Sequence, residues 1–294
     1  MASTVRRAMK AGTWYTYSQP ALNAELKEWL SKTPSPERNA RAVIVPHAGH
    51  RYCGRTAGAA YCRLPLDDGQ VKRVFLLGPS HHEALSAIAL TSCTAYDTPL
   101  GQLAVDTAVV GELLATGLFT RMPRGVDEEE HSLELQLPFL AHLSGCAVPI
   151  VPMLVDHPSP RKLAEYGRAL APYLADPANL FVISSDFCHW GSRFAYTRVL
   201  GGCPIWESIQ TLDRCGMDAI TSLDPKQFAD YLANTGNTIC GRFPILVLLH
   251  TVAALPDDQR ARMQCNFVDY SQSSKCMALS DSSVSYAAGV FTCE

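Results

Sequence analysis

Three apolar runs of the sequence lead directly into side chains that can bind metals. The residues that follow the runs at 41–46, 71–78 and 179–185 include His47, His50, His81, His82, Asp186 and His189. Imidazole nitrogen and carboxylate oxygen bind divalent transition metals in proteins. Iron(II) in oxygen-using enzymes is commonly held by two histidines and one anionic ligand, with positions left for substrate and dioxygen. The residue types therefore indicate a metal site more than a hydrolytic triad.

The positions of these side chains indicate that they share one site. In an open α/β sheet, loops leaving the carboxyl ends of neighbouring strands line a common crevice. Five of the nine histidines lie in these three segments. The alternative is that they are ordinary polar residues where buried strands reach the surface. Because the donors are distant in the chain, their spacing does not decide between the two interpretations.

The elements that must position these residues are predicted to form a layered sheet. Continuous apolar runs, typical of strands buried on both faces, span 41–46, 71–78, 147–155, 179–185 and 283–291. Amphipathic segments predict helices at 21–32, 108–117, 132–143, 161–174, 205–223, 225–235 and 242–255. We expect an α/β fold with three α/β/α layers and a largely buried central sheet. One domain over residues 1–294, with a turn at 33–40, is the simplest organisation.

Composition excludes several classes of function. The net charge is −3 with lysine and arginine scattered, so we expect no nucleic-acid partner. No run approaches the ~18 apolar residues that cross a bilayer, and no apolar signal region follows the first basic residues. We therefore expect no membrane insertion, and a location in the cytoplasm with the nucleus as a second compartment. The eleven cysteines form no CxxC pair, which favours reduced core residues over disulfides.

Six segments of the sequence resemble motifs of the Memo family, named for a mediator of ErbB2-driven cell motility. They are PHAGHRYCG (46–54), LGPSHH (77–82), DEEEHSLELQLPFL (127–140), SSDFCHWG (184–191), NTICGR (237–242) and DSSVSYAAG (281–289). The similarity extends from AGTWY (11–15) to the last predicted strand. It implies a LigB-like fold, related to the class III non-haem iron extradiol dioxygenases, with a deep cleft at one end of a mixed sheet.

The resemblance also implies a ligand set. It places metal ligands at His47, His81 and Cys240, with copper or iron as the ion. Cys240 stands where the dioxygenase relatives are expected to carry a carboxylate. A thiolate with imidazoles favours copper(I), zinc or iron over magnesium or calcium, which argues against extradiol ring cleavage. Cys53 and Cys188 are the nearest alternatives among the other cysteines, because each shares a segment with a histidine.

Four further side chains are candidates for catalytic roles in the cleft. Asp186 and His189, which also match the family's cleft residues, lie three apart just beyond a strand, where a carboxylate can orient an imidazole. His82 could line the substrate side or donate a hydrogen bond to dioxygen. His131 is included because it shares a predicted helix face with Glu134 and because the matching family segment borders the cleft. The alternative for this acidic segment is a solvated helix start.

Two classes of function fit these residues. One is a redox-active copper or iron protein that reduces dioxygen, since the resemblance links Memo proteins to reactive oxygen species and to cell-migration signalling. The other is an adaptor downstream of receptor tyrosine kinases that binds phosphotyrosine-containing receptor or adaptor peptides. Aromatic residues that could wall such a pocket are Trp14, Tyr15, Tyr52, Phe187 and Trp190. A ring-cleaving dioxygenase with an unusual ligand set is a third alternative.

Overall fold

The computed structural model describes residues 4–31, 36–66 and 69–294. Its strands are β1 (Val5–Arg6), β2 (Ala40–Val45), β3 (Arg73–Pro79), β4 (Ala89–Thr91), β5 (Ala95–Thr98), β6 (Gly101–Ala104), β7 (Thr120–Met122), β8 (Ile150–Val155), β9 (Asn179–Ser184), β10 (His189–Trp190), β11 (Met263–Gln272) and β12 (Ser283–Cys293). Its α-helices are α1 (Gln19–Leu30), α2 (His50–Tyr61), α3 (Thr107–Ala115), α4 (Arg124–Glu129), α5 (Leu137–Ser144), α6 (Pro160–Ala175), α7 (Ile205–Thr221), α8 (Pro225–Thr235), α9 (Arg242–Ala253) and α10 (Asp257–Arg260). Position 32 of the first predicted helix and positions 33–35 of the predicted turn lie outside the described residues.

The larger sheet has four parallel strands at its centre. β2, β9, β3 and β8 lie side by side in that order. β12 runs antiparallel to β2 and carries β10 and β11, while β4 runs antiparallel to β8 and carries β7, so the sheet is mixed. Every residue of β8 and β9 is buried, as their continuous apolar sequences predict. All five predicted strands are present in the sheet.

Helices cover this sheet, which confirms the three-layer α/β/α class. α6 and α9 pack on each other and on β9, and α9 also contacts β3. α1 and α2 pack on each other, and α2 contacts β2, β11 and β12. A small second sheet in the order β1, β5, β6 stands apart from the main one in the described residues. No helix of the described ranges has both the length and the apolar character that crossing a bilayer requires.

Helix α2 was not predicted, because its composition is not typical of a helix. The sequence HRYCGRTAGAAY contains two glycines, which disfavour a helix in isolation. Both glycines face Trp29 of α1, and a Cβ at Gly58 would lie 2.6 Å from the backbone oxygen of Trp29. The missing side chains therefore let the two helices approach closely, and this packing outweighs the low helical propensity.

The helix predicted at 132–143 is wrong in its first part. The chain forms a 3₁₀ turn at Glu134–Gln136, and α5 begins only at Leu137 with Pro138 in its first turn. His131 therefore precedes the helix, and it does not share a helical face with Glu134. The interpretation of the acidic segment as a solvated helix start is also wrong, since its acidic residues are buried except Glu129.

A buried arginine compensates the buried acids of this segment. Arg6 of β1 is 0% exposed and pairs through Nε with Asp127 at 3.0 Å and through Nη1 with Glu134 at 2.7 Å. Its Nη2 donates to the backbone oxygen of Glu130 at 2.7 Å. Tyr96 donates its hydroxyl to Asp127. Buried charges persist only when they are paired and hydrogen-bonded, so Arg6 fixes the conformation of the segment that carries His131.

Candidate metal centre

The strand order explains why distant residues meet. β2, β9 and β3 are neighbours and parallel, so the residues after them emerge at one edge of the sheet. His47 follows β2, Asp186 follows β9 and His81 follows β3. The sheet therefore brings together the segments that the sequence singled out.

Three imidazoles form a compact group at this edge. One nitrogen from each of His47, His81 and His131 lies within 4.8 Å of the others. The His81 and His131 rings stack at 4.4 Å between centroids, and the His47 ring stands edge-on to both, at 5.2 and 5.5 Å. His47 is buried, His131 is half-buried and His81 faces solvent, so the group extends from the interior to the surface at this edge of the sheet, and we call this place the histidine cleft. Such a cluster of nitrogen donors suits a transition metal ion.

The tautomer of His47 is fixed by Ser184 at the end of β9. The Ser184 hydroxyl donates its hydrogen to the backbone oxygen of Ser132 at 2.6 Å. It must therefore accept from Nδ1 of His47, which lies 2.8 Å away, and from the Gln136 amide at 2.9 Å. The Nε2 of His47 is left with its lone pair toward the cleft. A histidine that binds a metal through one nitrogen commonly donates from the other in this way.

Glu130 fixes the tautomer of His81, as Ser184 does for His47. Its Oε1 accepts from Nδ1 of His81 at 2.8 Å, and its Oε2 accepts from the His81 backbone amide at 2.7 Å. Oε1 also accepts the amides of His131 and Ser132 at 2.9 and 2.8 Å. Burial opposes ionisation, but the hydrogen bond from His81, the neighbouring His81 and His131 rings and the Ser132 amide outweigh it and lower the pKa of Glu130 to about 2. The carboxylate therefore orients His81 and leaves its Nε2 free.

Burial keeps the inner imidazoles neutral, which is the form that binds metals. Burial, with His81 and His131 as neighbours, holds the pKa of His47 well below its usual value. Burial and the adjacent His81 lower the pKa of His131 to about 3. The Trp14 ring covers His131 at 4.5 Å between centroids. A cation bound to these two rings need not displace protons from them near neutral pH.

Cys240 lies against His47 at the start of α9. Its Sγ is 3.1 Å from Nε2 of His47 and accepts the backbone amide of Asp186 at 3.2 Å. A Cβ at Gly241 would collide with Ser185, so glycine there allows this approach. Burial and the Asp186 carboxylate raise the pKa of Cys240 well above its usual value. Cys240 is thus a neutral thiol facing the His47 lone pair, and its role as a metal ligand stays a prediction.

Asp186 and His189 border the same cleft. Asp186 accepts the backbone amide of His47 at 2.8 Å through Oδ1. Burial raises the pKa of Asp186, and the interaction with His189 and the amides of His47 and Ala48 only partly offset this. His189 donates Nδ1–H to the backbone oxygens of Phe187 and Thr238, at 2.9 and 3.1 Å, which leaves Nε2 as an acceptor. The two side chains can therefore hold and pass protons beside the imidazole group.

The other histidines and aromatic residues named from the sequence lie outside the imidazole group or pack in the core. His82 is exposed, with its ring centroid 6.2 Å from that of His131. His50 belongs to the first turn of α2 and is not part of the imidazole group. Phe187 and Trp190 are fully buried, whereas Trp14 and Tyr52 are exposed by 39% and 52%. Of these four rings, those of Trp14 and Tyr52 can meet a ligand from solvent.

Sequence reasoning missed the residues that orient the histidines. Glu130 and Ser184 lie in the motifs DEEEHSLELQLPFL (127–140) and SSDFCHWG (184–191), but neither residue was assigned a role of its own. One signal was available for Ser184, since a serine that closes a run of buried apolar residues needs a buried hydrogen-bond partner. Glu130 gives no comparable signal, because its burial depends on contacts across the chain.

Glu130→Gln should weaken metal binding by about 10–100-fold. Glutamine keeps the size of the side chain but removes the charge that fixes the Nδ1–H tautomer of His81. Metal affinity is measured by competition with a chelator of known strength. Glu129→Gln, an exposed neighbour at the end of α4, is the control and should leave the affinity unchanged. Equal affinity in both variants would contradict the orienting role of Glu130.

The fold and the site together define a class of protein, an α/β/α sheet protein with a histidine-lined cleft at the carboxyl edge of parallel strands. The family model described as Memo-like protein matches residues 6–290. The chain belongs to this family.

Curated relatives match along almost the whole chain. It is 48% identical over 291 residues to Protein MEMO1 of Mus musculus and to Protein MEMO1 of Homo sapiens, covering 98% of this chain and 97% of each relative. It is 46% identical over 288 residues to Protein memo-1 homolog of Caenorhabditis elegans, covering 97% of this chain and 82% of that one.

A solved structure resembles the fold at low sequence identity. An uncharacterised protein from Escherichia coli K12, JW3007, superposes with a TM-score of 0.51 at 16% identity, covering 84% of this chain and 99% of that one. At this identity the likeness concerns the fold alone.

Proposed function

We propose that this protein binds a redox-active transition metal ion, copper or iron, in the histidine cleft and reduces dioxygen to reactive oxygen species. The observation that carries the proposal is the group of three imidazole nitrogens within 4.8 Å of one another. Memo family membership supports it, and so does the preference of copper, iron and zinc for imidazole donors. Cell-migration signalling, in the cytoplasm and the nucleus, is the proposed setting.

The donor set fits such an ion. Nδ1 of His47 and of His81 are engaged with Ser184 and Glu130, so both rings present Nε2 to the ion, with Nε2 of His47 also 3.1 Å from the Cys240 thiol. His131 or Cys240 would supply the third ligand. A bound copper or iron ion would supply one-electron reduction of dioxygen to superoxide, with the electron replaced by an external reductant.

The remaining cleft residues would supply protons and line the entry path of dioxygen. Reduction of dioxygen as far as peroxide consumes protons, and the raised pKa of Asp186 increases the fraction that carries one. His189 lies beside it and accepts through Nε2. His82, exposed at the rim, is placed to meet dioxygen as it enters.

The pH dependence of metal affinity distinguishes His131 from Cys240 as the third ligand, because only the cysteine would release a proton on binding. A neutral thiol must lose its proton to become a ligand, whereas His131 is already neutral, since its pKa is about 3. If Cys240 binds the ion, affinity should rise by about tenfold per pH unit between roughly pH 7 and 9, because one proton is released for each ion bound.

The test measures metal content and oxygen reduction in the same preparations. Protein purified without added metal is analysed for its elements, then assayed for superoxide and peroxide with ascorbate as reductant. Cys240→Ala and His131→Ala are compared with Cys62→Ala, a half-buried cysteine that donates to Ala59. We expect metal and activity to fall together in a cleft variant and to persist in Cys62→Ala. Full activity in both cleft variants would overturn the proposal.

A second candidate, an adaptor for phosphotyrosine peptides, is favoured by one cation, Arg193, beside a ring that contacts His189. The Arg193 guanidinium stands 4.4 Å from the centroid of the Phe194 ring, which lies edge-on to His189 at 5.2 Å. An arginine beside aromatic rings suits a phosphorylated tyrosine. Phosphopeptide binding retained by His47→Ala/His81→Ala and lost in Arg193→Ala would support it.

The third alternative, ring cleavage, is addressed by the same preparations. Oxygen consumption is followed with a panel of catechols in place of ascorbate. Ring-cleaved products would support a dioxygenase. Oxygen uptake without such products would leave the oxidase proposal.

A further inference from the structure

Asp213 of α7 is a buried carboxylate that accepts hydrogen bonds from neutral donors. The residue is 0% exposed. Its Oδ1 accepts the backbone amide of Cys188 at 3.2 Å and Nδ2 of Asn237 at 3.0 Å, and its Oδ2 accepts the Tyr270 hydroxyl at 2.9 Å. The Ser285 side chain adds a further hydrogen bond. None of these donors carries a positive charge, so hydrogen bonds alone satisfy the carboxylate.

Such a carboxylate is a costly way to fill the interior. Taking a carboxylate out of water costs free energy even when it is hydrogen-bonded, and burial raises the pKa of Asp213 for the same reason. Replacing buried polar partners with apolar residues of the same shape is often neutral or stabilising. The value of Asp213 therefore lies in the groups that it holds in place.

Two of these groups belong to segments that line the histidine cleft. Cys188 lies within SSDFCHWG (184–191), and Asn237 begins NTICGR (237–242). The first segment supplies a carboxylate and an imidazole to the cleft, and the second supplies the thiol. Because both hydrogen bonds end on the same oxygen, Asp213 ties the two segments together at one point.

The two hydrogen bonds lie next to the groups that orient His189. Its Nδ1–H donates to the backbone oxygens of Phe187 and Thr238, at 2.9 and 3.1 Å, and its amide donates to the Thr238 hydroxyl at 2.7 Å. Cys188 directly follows Phe187 in the chain, and Asn237 directly precedes Thr238. The carboxylate on α7 thus holds the residue adjacent to each of the two acceptors.

We propose that Asp213 is a positioning residue, which fixes the Nδ1–H tautomer and the orientation of the His189 ring through the segments that carry its two acceptors. This arrangement leaves Nε2 of His189 as the acceptor beside the imidazole group. The effect on oxygen reduction rests on the function proposed above, in which His189 passes protons. The effect on the tautomer does not depend on that function.

¹⁵N NMR of histidine-labelled protein reads the tautomer directly. At about pH 8.5, where ordinary imidazoles are neutral, a protonated and a bare ring nitrogen give separate resonances. We expect one Nδ1–H form of His189 in the parent, assigned by its absence from His189→Gln, and a mixture of both tautomers in Asp213→Ala. An unchanged single form in Asp213→Ala would overturn the proposal.

Two further variants separate positioning from a general loss of structure. Asp213→Asn keeps an oxygen that accepts from Cys188 and Asn237, and its amide can donate to the hydroxyls on the other side, so the single tautomer should return. Tyr270→Phe removes one hydrogen bond from Oδ2 and should leave His189 unchanged. Mixed tautomers in either variant would refute positioning through the two bonds on Oδ1.

Asn237→Ala tests the same link where Asp213→Ala does not fold. It removes one of the two hydrogen bonds on Oδ1 and leaves the carboxylate in place. We expect it to release the Thr238 backbone oxygen and to give mixed tautomers of His189. A single Nδ1–H form in this variant would overturn the proposal.

Peroxide formation by the metal-loaded protein measures the consequence for the proposed function. Asp213→Ala should form peroxide at least about tenfold more slowly than the parent, and Asp213→Asn should recover most of the rate. A parent that forms no peroxide would refute the proposed oxidase function. The positioning role would then still be decided by the tautomer of His189, which the NMR experiment measures without metal.

Discussion

Replacing His47 with alanine is expected to lower the affinity of the cleft for a transition metal by more than about 100-fold, since even the loss of an outer partner costs about 10–100-fold. His47 is the buried member of the imidazole group and contacts the Cys240 thiol as well as the two other rings. The hydrogen bond between its Nδ1 and Ser184 fixes the orientation of the ring, so the ring need not reorient when a metal binds at Nε2. Removing His47 takes away a donor that is needed whether His131 or Cys240 is the third ligand.

The measurement is chelator competition monitored by metal content, on protein whose circular dichroism matches the parent. His142→Ala is the control, because this histidine lies on α5, bonds to Asn23 and is outside the imidazole group. It should keep the parent affinity. A His47→Ala protein that binds metal as tightly as His142→Ala would show that the ion is held elsewhere.

Arg6→Met is expected to reduce the free energy of unfolding by about 3–5 kcal/mol, the usual cost of removing one partner from a buried ion pair. Methionine approximates the volume but leaves Asp127 and Glu134, both 0% exposed, without their cation. It also removes the hydrogen bond to the backbone oxygen of Glu130. Loss of the buried pairing is the larger effect, and loosening of the segment that carries His131 follows from it.

Urea unfolding of Arg6→Met and Arg7→Met separates this network from a surface pair. Arg7 binds Glu128 through two side-chain hydrogen bonds, but its own side chain is 65% exposed. Exposed pairs are screened by solvent, so Arg7→Met should change stability far less. Similar losses in the two variants would contradict the assignment of Arg6 as the central buried charge.

The sequence predicted the sheet well because strands that are buried on both faces have a continuously apolar local composition. All five predicted strands were found, since runs such as IVPMLV and NLFVIS have no polar face to place in water. The missed strands are short, or are partly exposed as β11 is, and they lack that pattern. Their pairing with β12 and with one another is a long-range property.

The site was predicted in outline, and its supporting contacts were not. Residues after strand ends could be assigned to a common edge, so His47, His81 and Asp186 were recognised. His131 was chosen partly for a helical spacing that does not exist, and it reaches the cleft because Arg6 and Glu130 hold an irregular segment in place. The contact between Arg6 and Glu130 joins residues more than a hundred positions apart, so no local sequence pattern predicts it.

Anomalous diffraction at the absorption edge of the metal, from crystals of the as-isolated protein, tests the central claim most directly. We expect one strong peak in the cleft, about 2.0–2.3 Å from Nε2 of His47 and of His81, with His131 or Cys240 completing the set. A metal-loaded protein whose peak lies outside the cleft, or a cleft without a peak at full metal occupancy in solution, would contradict it.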